Sequence, residues 1–229
     1  MWTEEKIHQI VERQRAFFRT GVTLDVDWRI DKLKKLKAAV LEREKEITDA
    51  LYADLGRCAA EAYFCDIGSL VLELNETIRG LRRWARPETH FSGPACFPSL
   101  ITKVYKLPYG VTLIISPFNF PFLLSLGVLA AAIAGGNTAV LKASSKSPHC
   151  TETLKRLIAE TFCGDYAVVV DGGHEAADLC LAERFDKIFY TGSPGVGMCW
   201  RWQPNISRRW RWSWAARQGI GASSERTQI

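Results

Sequence analysis

The first ninety residues carry apolar positions at helical spacing. Ile7, Ile10, Val11 and Phe17 predict a helix over residues 3–19, with Thr3 as its N-cap. The same period predicts a long helix over about 27–55 and a further helix over about 61–84. Residues 1–90 are therefore predicted to form an amino-terminal helical part.

The pattern changes after these helices. Prolines and a glycine interrupt any regular period between residues 87 and 101, which favours irregular structure there. Residues 101–107 alternate weakly and could form a strand or one arm of a hairpin. We therefore expect residues 91–110 to be a connecting or hairpin segment.

From residue 111 onward, short apolar runs rich in β-branched residues alternate with helical segments. The predicted strands are 111–115, 138–142, 167–170 and 187–190, and the predicted helices are about 121–134, 147–161 and 174–182. This alternation is typical of an α/β fold with a doubly wound, Rossmann-like sheet. Residues 111–197 are thus predicted to form a dinucleotide-binding domain, with its ligand at the carboxyl ends of the strands.

Residues that could bind a ligand or take part in a reaction lie at the ends of three of these strands or just after them. Residues 192–197, GSPGVG, could cradle a phosphate, although plain glycine turns after strands are common. Lys142 ends a strand and could reach ribose hydroxyls or a phosphate, or it could be a surface lysine whose stem alone is buried. The Asn119 amide could donate to an oxyanion, or it could bond to its own backbone as turn asparagines do.

Composition narrows the functional classes. Residues 1–197 contain 24 basic and 24 acidic side chains, and such a neutral body does not favour nucleic-acid binding. Seven cysteines without a CxxC pair, and a charged start without an apolar core, indicate reduced thiols in a cytoplasmic protein. The four histidines lack zinc-ligand spacing, so no metal is expected. The longest apolar run, residues 123–134, is short for a membrane span.

The last segment differs from everything before it. Residues 198–229 contain five of the eight tryptophans, six arginines and one acid. We find no helical or strand period there, and we expect this aberrant Trp/Arg-rich tail to join no part of the sheet. Translation of a GC-rich gene in the wrong frame would produce a tail of this composition. The alternatives are a membrane-active Trp/Arg tail and a native helix. The alternative to an enzymatic function is that the chain is a non-enzymatic nucleotide-binding or interaction module that carries this tail.

Three motifs in order resemble the aldehyde dehydrogenase superfamily: SPFNFPF at 116–122, GGNTAVLK at 135–142 and YTGSPGVG at 190–197. The stretch LEREKEITDALYADLG at 41–56, followed by EAY at 61–63, looks most like the class 3, fatty-aldehyde-type branch. The resemblance covers about residues 3–197. It implies an incomplete aldehyde dehydrogenase fold, an amino-terminal fragment of an enzyme that oxidises aldehydes to carboxylic acids with NAD or NADP. Members of the family are usually homodimers.

The resemblance also implies roles for individual residues. Asn119 matches the oxyanion-hole asparagine, and Lys142 matches the lysine that binds the adenosine ribose. The remaining cofactor residues are those that line the nicotinamide end, Ser116, Pro117 and Phe118, and those beneath the pyrophosphate, Gly192, Ser193, Val196 and Gly197.

Two departures from the family pattern limit these expectations. Ser145 stands where the family usually has a glutamate that would repel a 2′-phosphate, which leaves the preference between NAD and NADP open. Trp214 stands about where the general-base glutamate is expected, and the nucleophilic cysteine would lie beyond residue 229. We therefore expect the chain to be a truncated or frameshifted cofactor-binding half, inactive on its own.

Overall fold

The computed structural model describes residues 2–91 and 101–192, together with the backbone of 210–214. Its amino-terminal helices are α1 (Glu4–Arg19), α2 (Val26–Glu42), α3 (Glu44–Leu55), α4 (Ala59–Ala62) and α5 (Gly68–Trp84). A 3-10 turn (Val22–Leu24) precedes α2, and a π-helical turn (Tyr63–Ile67) joins α4 to α5. The Thr3 hydroxyl accepts from the backbone N–H of Lys6 at 3.4 Å, which confirms the predicted N-cap of α1.

Two sheets follow. Strands β1 (Glu88–Phe91) and β2 (Ile101–Val104) form an antiparallel pair. The larger sheet is parallel and contains β3 (Val111–Ile115), β4 (Thr138–Lys142), β5 (Ala167–Val170), β6 (Lys187–Gly192) and β7 (Trp210–Trp214), in the order β5-β4-β3-β6-β7. Its connecting helices are α6 (Leu123–Ala134), α7 (Pro148–Thr161) and α8 (His174–Ala182).

The sheet is covered on both faces, as the doubly wound prediction requires. One face packs against α6 and α7, which in turn pack against α2, α3 and α5 in a core that includes Leu33, Leu70 and Leu126. The other face packs against α1 and α8 through Ile7, Ile10 and Cys180, among others. Strand order reverses between β3 and β6, so β3 and β6 flank the topological switch point of the sheet. The predicted α/β fold class is confirmed.

The single long helix predicted over 27–55 is wrong, because the helix breaks at Arg43 (φ −105°, ψ 20°). Neither glycine nor proline marks the break, so the apolar period runs through it. The turn lets α3 bury Ile47 and Leu51 in the core it shares with α7, while the Arg43 guanidinium pairs with Glu160 of α7 at the surface. Tertiary packing therefore decides this helix boundary.

The hairpin also begins earlier than expected. Strand β2 confirms the predicted hairpin arm, but β1 starts at Glu88, three residues before the predicted segment boundary at 91. All side chains of β1 and β2 are exposed. A strand without a buried face has no apolar alternation, and this explains why the pattern did not indicate β1.

The expectation that no residue after 197 joins the sheet is wrong for residues 210–214. These residues form β7, which pairs in parallel with β6 from Ile188–Trp210 to Gly192–Trp214. The sequence WRWSW does alternate with a period of two, and tryptophan favours strands. The backbone edge of β6 offers the hydrogen-bonding groups with which such a segment can pair.

Candidate functional site

Three predicted site segments meet at the carboxyl edge of the sheet. Ser116 follows β3, Lys142 ends the neighbouring β4, and Gly192 ends β6 on the other side of β3. The backbone N–H of Ser116 donates to the Lys142 carbonyl at 3.2 Å, and Ile115 pairs with Tyr190. The strand order thus places the segments around the switch point, where open α/β sheets bind ligands.

Lys142 is buried rather than at the surface, with 5% of the residue exposed. Its Nζ atom donates to the carbonyls of Ala143 at 2.6 Å and Gly172 at 2.7 Å. Burial lowers the pKa of Lys142, while Cys180 and Asp171 oppose the shift. Because an ammonium group has three N–H donors, these two bonds leave a third donor for a ligand hydroxyl or phosphate.

The Gly172 carbonyl belongs to a turn that side chains from elsewhere hold in place. The carboxylate of the preceding Asp171 accepts from Trp2 Nε1 at 2.6 Å and from Lys155 Nζ at 3.1 Å. Burial alone would raise the pKa of Asp171, but these bonds outweigh it and lower the pKa. Gly172 has φ +110°, a conformation that favours glycine, and the sequence reasoning did not identify this support.

The segments after β3 and β4 also contact each other through side chains. The ring of Phe118 is 41% exposed, and the Lys146 ammonium lies 5.3 Å from its centroid. Pro117 is half-buried and Ser145 is exposed. The residues that follow β3 and those that follow β4 thus form one continuous part of the carboxyl edge.

Asn119 is half-buried, and its backbone carbonyl accepts from Arg57 Nη2 at 2.6 Å. Within the described residues, its buried Oδ1 atom has no hydrogen-bond partner. This oxygen therefore does not accept from the asparagine's own backbone, as it would in an ordinary asparagine turn.

Arg57 and Asp66 form a buried pair next to Asn119, which the sequence reasoning missed. Arg57 Nη1 pairs with Asp66 Oδ2, and Asp66 Oδ1 accepts from the backbone N–H groups of Phe122 (3.1 Å) and Leu123 (2.9 Å). The Arg57 guanidinium also lies 4.7 Å from the Phe120 ring centroid. Burial raises the pKa of Asp66, and the Leu123 N–H and Arg57 oppose this.

Gly192 is the last residue of β6 and the first of the glycine turn. A Cβ atom at this position would overlap the hydroxyl of Tyr190, so a larger residue here would require the tyrosine side chain to shift. The other predicted residues of the turn, Ser193, Val196 and Gly197, lie outside the described residues.

The buried thiols do not provide a reactive nucleophile. Burial raises the pKa of Cys180 to about 12 against the opposing effect of Lys142, and burial together with Asp54 raises the pKa of Cys150. Both thiols are therefore protonated at neutral pH, whereas a nucleophilic cysteine acts as its thiolate.

In residues 2–91 and 101–192, no group of three or more His, Cys, Asp or Glu side chains could hold a metal ion. The helices of these ranges include none that is both long and apolar enough for a membrane span.

Comparison with known proteins gives a consistent result. The family model described as "Aldehyde dehydrogenase family" matches residues 1–199. The 4,4'-diaponeurosporen-aldehyde dehydrogenase of Staphylococcus aureus is 40% identical over 193 residues, which are 83% of this chain and 41% of that protein. Aldehyde dehydrogenase family 3 member I1 of Arabidopsis thaliana is 36% identical over 187 residues, 82% of this chain and 34% of the relative. The chain thus spans about two fifths or less of the length of these relatives.

Solved structures agree with the sequence matches. The structure described as "Substrate bound state of Staphylococcus Aureus AldH" superposes with a TM-score of 0.83 at 38% identity, covering 85% of this chain and 42% of the other. The sequence resemblance to class 3 enzymes and the expectation of an incomplete fold of this type are confirmed.

Proposed function

The chain belongs to the aldehyde dehydrogenase family, and we propose that it binds NAD or NADP at the carboxyl edge of its sheet, as the cofactor-binding part of an aldehyde-oxidising enzyme. The observation that carries the proposal is the buried Lys142 ammonium, which two carbonyls orient at the switch point. Its remaining donor suits a ribose hydroxyl or a phosphate oxygen. Gly192 has no side chain at the end of β6, which suits the close approach of a pyrophosphate to the backbone.

The other residues have distinct roles in this proposal. Ser116, Pro117 and Phe118 line the nicotinamide end, and Ser193, Val196 and Gly197 complete the pyrophosphate turn with Gly192. The Asn119 side-chain amide donates to the oxyanion that forms when a nucleophile adds to an aldehyde carbonyl. The bound cofactor would supply a nicotinamide that accepts hydride.

We propose that the site accepts NADP nearly as well as NAD. Ser145 is exposed and uncharged, so it does not repel a 2′-phosphate as a carboxylate would. A 34% identical relative from Canis lupus familiaris is described as "Aldehyde dehydrogenase, dimeric NADP-preferring"; 84% of this chain aligns with 42% of it. An aldehyde substrate and a homodimeric assembly are part of the same proposal.

We also propose that the 229 residues alone do not oxidise aldehydes. Trp214 stands about where the resemblance places the general base, and the buried Cys150 and Cys180 thiols remain protonated. The relatives contain more than twice the length that matches this chain.

Calorimetric titration of the chain with NAD and with NADP tests the cofactor proposal. We expect weak but saturable binding of both, with affinities within about tenfold of each other, a difference of about 1.4 kcal/mol. Absence of binding at millimolar concentrations would refute the proposal. An assay for NADH formation with medium-chain and aromatic aldehydes tests inactivity, and turnover that depends on one of the seven cysteines would identify an unrecognised nucleophile.

A further inference from the structure

The segment that carries Asn119 has little regular backbone structure of its own. Residues 116–122, here the Asn119 loop, connect β3 to α6 and contain two prolines, which have no N–H to donate. At its start, the loop is fixed by the bond from Ser116 N–H to the Lys142 carbonyl. The position of Asn119 therefore depends on what holds the rest of the loop.

Asp66 holds the far end of the loop. Its carboxylate accepts from the Phe122 and Leu123 N–H groups at the start of α6, where the N-cap residue, Phe122, has no side chain able to accept them. A carboxylate at a helix amino terminus satisfies free N–H groups and interacts favourably with the helix dipole. Asp66, in the turn between α4 and α5, thus accepts hydrogen bonds from the first N–H groups of α6, as an N-cap residue next to the helix usually does.

Arg57 holds the middle of the loop. One guanidinium nitrogen pairs with Asp66, another donates to the Asn119 carbonyl, and the plane lies near the Phe120 ring. A guanidinium can make these directed bonds at once because its donors form a rigid planar fork. The contacts fall on the asparagine itself and on the residue after it.

A general role in stability does not explain why a buried ion pair stands at this place. The Asp66 side chain is fully buried and that of Arg57 is 11% exposed. Such pairs are expensive to desolvate and are often replaceable by apolar residues without loss of stability. Asp66 also lies in the π-helical turn Tyr63–Ile67, and π-helical turns occur frequently at functional sites.

We propose that Arg57 and Asp66 are positioning residues that fix the Asn119 loop, and with it the nicotinamide end of the cofactor site and the Asn119 amide. The proposal rests on the proposed function, since it assigns the pair to the nicotinamide end of that site. The adenosine end depends on Lys142 and the Gly172 turn, which neither residue contacts in the described structure.

Ligands that occupy different parts of the site provide the test. R57K keeps the charge but loses the fork, and R43K is its matched control, because Arg43 pairs with Glu160 away from the loop. We expect R57K to weaken NAD binding about tenfold, about 1.4 kcal/mol, and ADP binding less than about twofold, since ADP lacks the nicotinamide. R43K should change neither affinity. Equal losses for NAD and ADP in R57K, or no loss, would overturn the proposal.

Hydrogen exchange provides a second readout that does not depend on cofactor. In R57K, amides of residues 118–123 should exchange about tenfold faster, while amides of β4 keep their rates. Faster exchange throughout the chain would mean that the pair serves general stability, and unchanged exchange in the loop would mean that it fixes nothing; either result contradicts positioning. If the unaltered chain binds neither NAD nor ADP, the proposed function fails, and the exchange comparison still decides the role of Arg57 and Asp66.

Discussion

The lysine end and the asparagine end of the candidate site are held by different kinds of contact. At Lys142, backbone carbonyls of the next residue and of the turn after β5 fix the ammonium group. At Asn119, an ion pair between side chains from a segment 56 to 62 positions away fixes the loop. Side chains contact the first end only indirectly, through the Asp171 carboxylate beside Gly172, whereas at the second end the Arg57 and Asp66 side chains bond to the loop directly. Substitutions should separate the two ends.

Removal of the buried carboxylate should have the largest effect. D66A would remove the buried partner of Arg57, leaving it only the longer pair with the half-exposed Glu61 (3.8 Å), and would leave the first N–H groups of α6 without an acceptor. We expect unfolding free energy to fall by about 3 kcal/mol or more, measured by urea denaturation. The control is D31A, because Asp31 pairs with lysines at the surface. A loss of under about 1 kcal/mol would show that the loop is held by other contacts.

At the lysine end, the main effect should be on binding rather than on stability. K142M keeps most of the apolar stem and removes a buried charge whose pKa burial already lowers. We expect cofactor affinity to fall about thirtyfold, about 2 kcal/mol, for the loss of a charged hydrogen bond. ADP and NAD should be affected alike, in contrast to R57K. Calorimetry with both ligands checks this, and a loss confined to NAD would mean that Lys142 does not serve the adenosine end.

Asp54 caps α7 from a distant part of the chain, and its removal should lower the unfolding free energy by a smaller amount that disappears in acid. Asp54 in α3 accepts from the backbone N–H groups of His149 (3.2 Å) and Cys150 (2.7 Å) at the start of α7. We expect D54A to cost about 1 kcal/mol at neutral pH, whereas D49A, at an exposed pair with Lys45, should change little.

The sign of the pH dependence follows from the direction of the shift. Burial alone would raise the pKa of Asp54, but the hydrogen bonds from Cys150 and His149 outweigh it and lower the pKa. A lowered pKa stabilises the fold above the ordinary value of 3.8 and loses that contribution as pH falls through the folded value. The difference between D54A and the unaltered chain should therefore shrink in acid, in urea titrations at several pH values. A difference that stays constant down to pH 2 would mean that the carboxylate charge is not responsible.

The smallest expected effect concerns the choice between cofactors. S145E should weaken NADP binding about fivefold, about 1 kcal/mol, by repulsion of the 2′-phosphate near the surface, with little change for NAD. S145Q, which has the same size without the charge, is the control. Equal binding of NADP by S145E and S145Q would place the 2′-phosphate away from residue 145.

The two ends also differ in how far the sequence could predict them. Strands β3 and β4 were predicted at their observed bounds, and Lys142 with them, because a buried parallel strand leaves a local apolar pattern. The position of Asn119 after β3 made it a candidate oxyanion donor, but only the resemblance chose between that role and an ordinary turn asparagine, and nothing near Asp66 indicated its role. Asp66 is one acid in a helical segment, and its partners become visible only when the chain folds α4–α5 against the start of α6. Similarly, Ser147 precedes Pro148 at the start of α7, as a local N-cap would, but its side chain makes no capping bond, and Asp54 supplies the acceptors instead.

Because of the π-helical turn, the asparagine end is sensitive to the number of residues in this segment as well as to their side chains. Buried Ala62 and Ile67 are five residues apart across this turn, whereas the next buried positions, Ile67, Leu70 and Leu74, follow at ordinary helical spacing. Deletion of one residue from 63–65 would restore the α-helical period and rotate the preceding segment by about 100° relative to α5. Arg57 and Asp66 would then no longer face the loop together, although every side chain of the pair would remain. Over evolutionary time, this part of the chain can exchange residues more readily than it can gain or lose one.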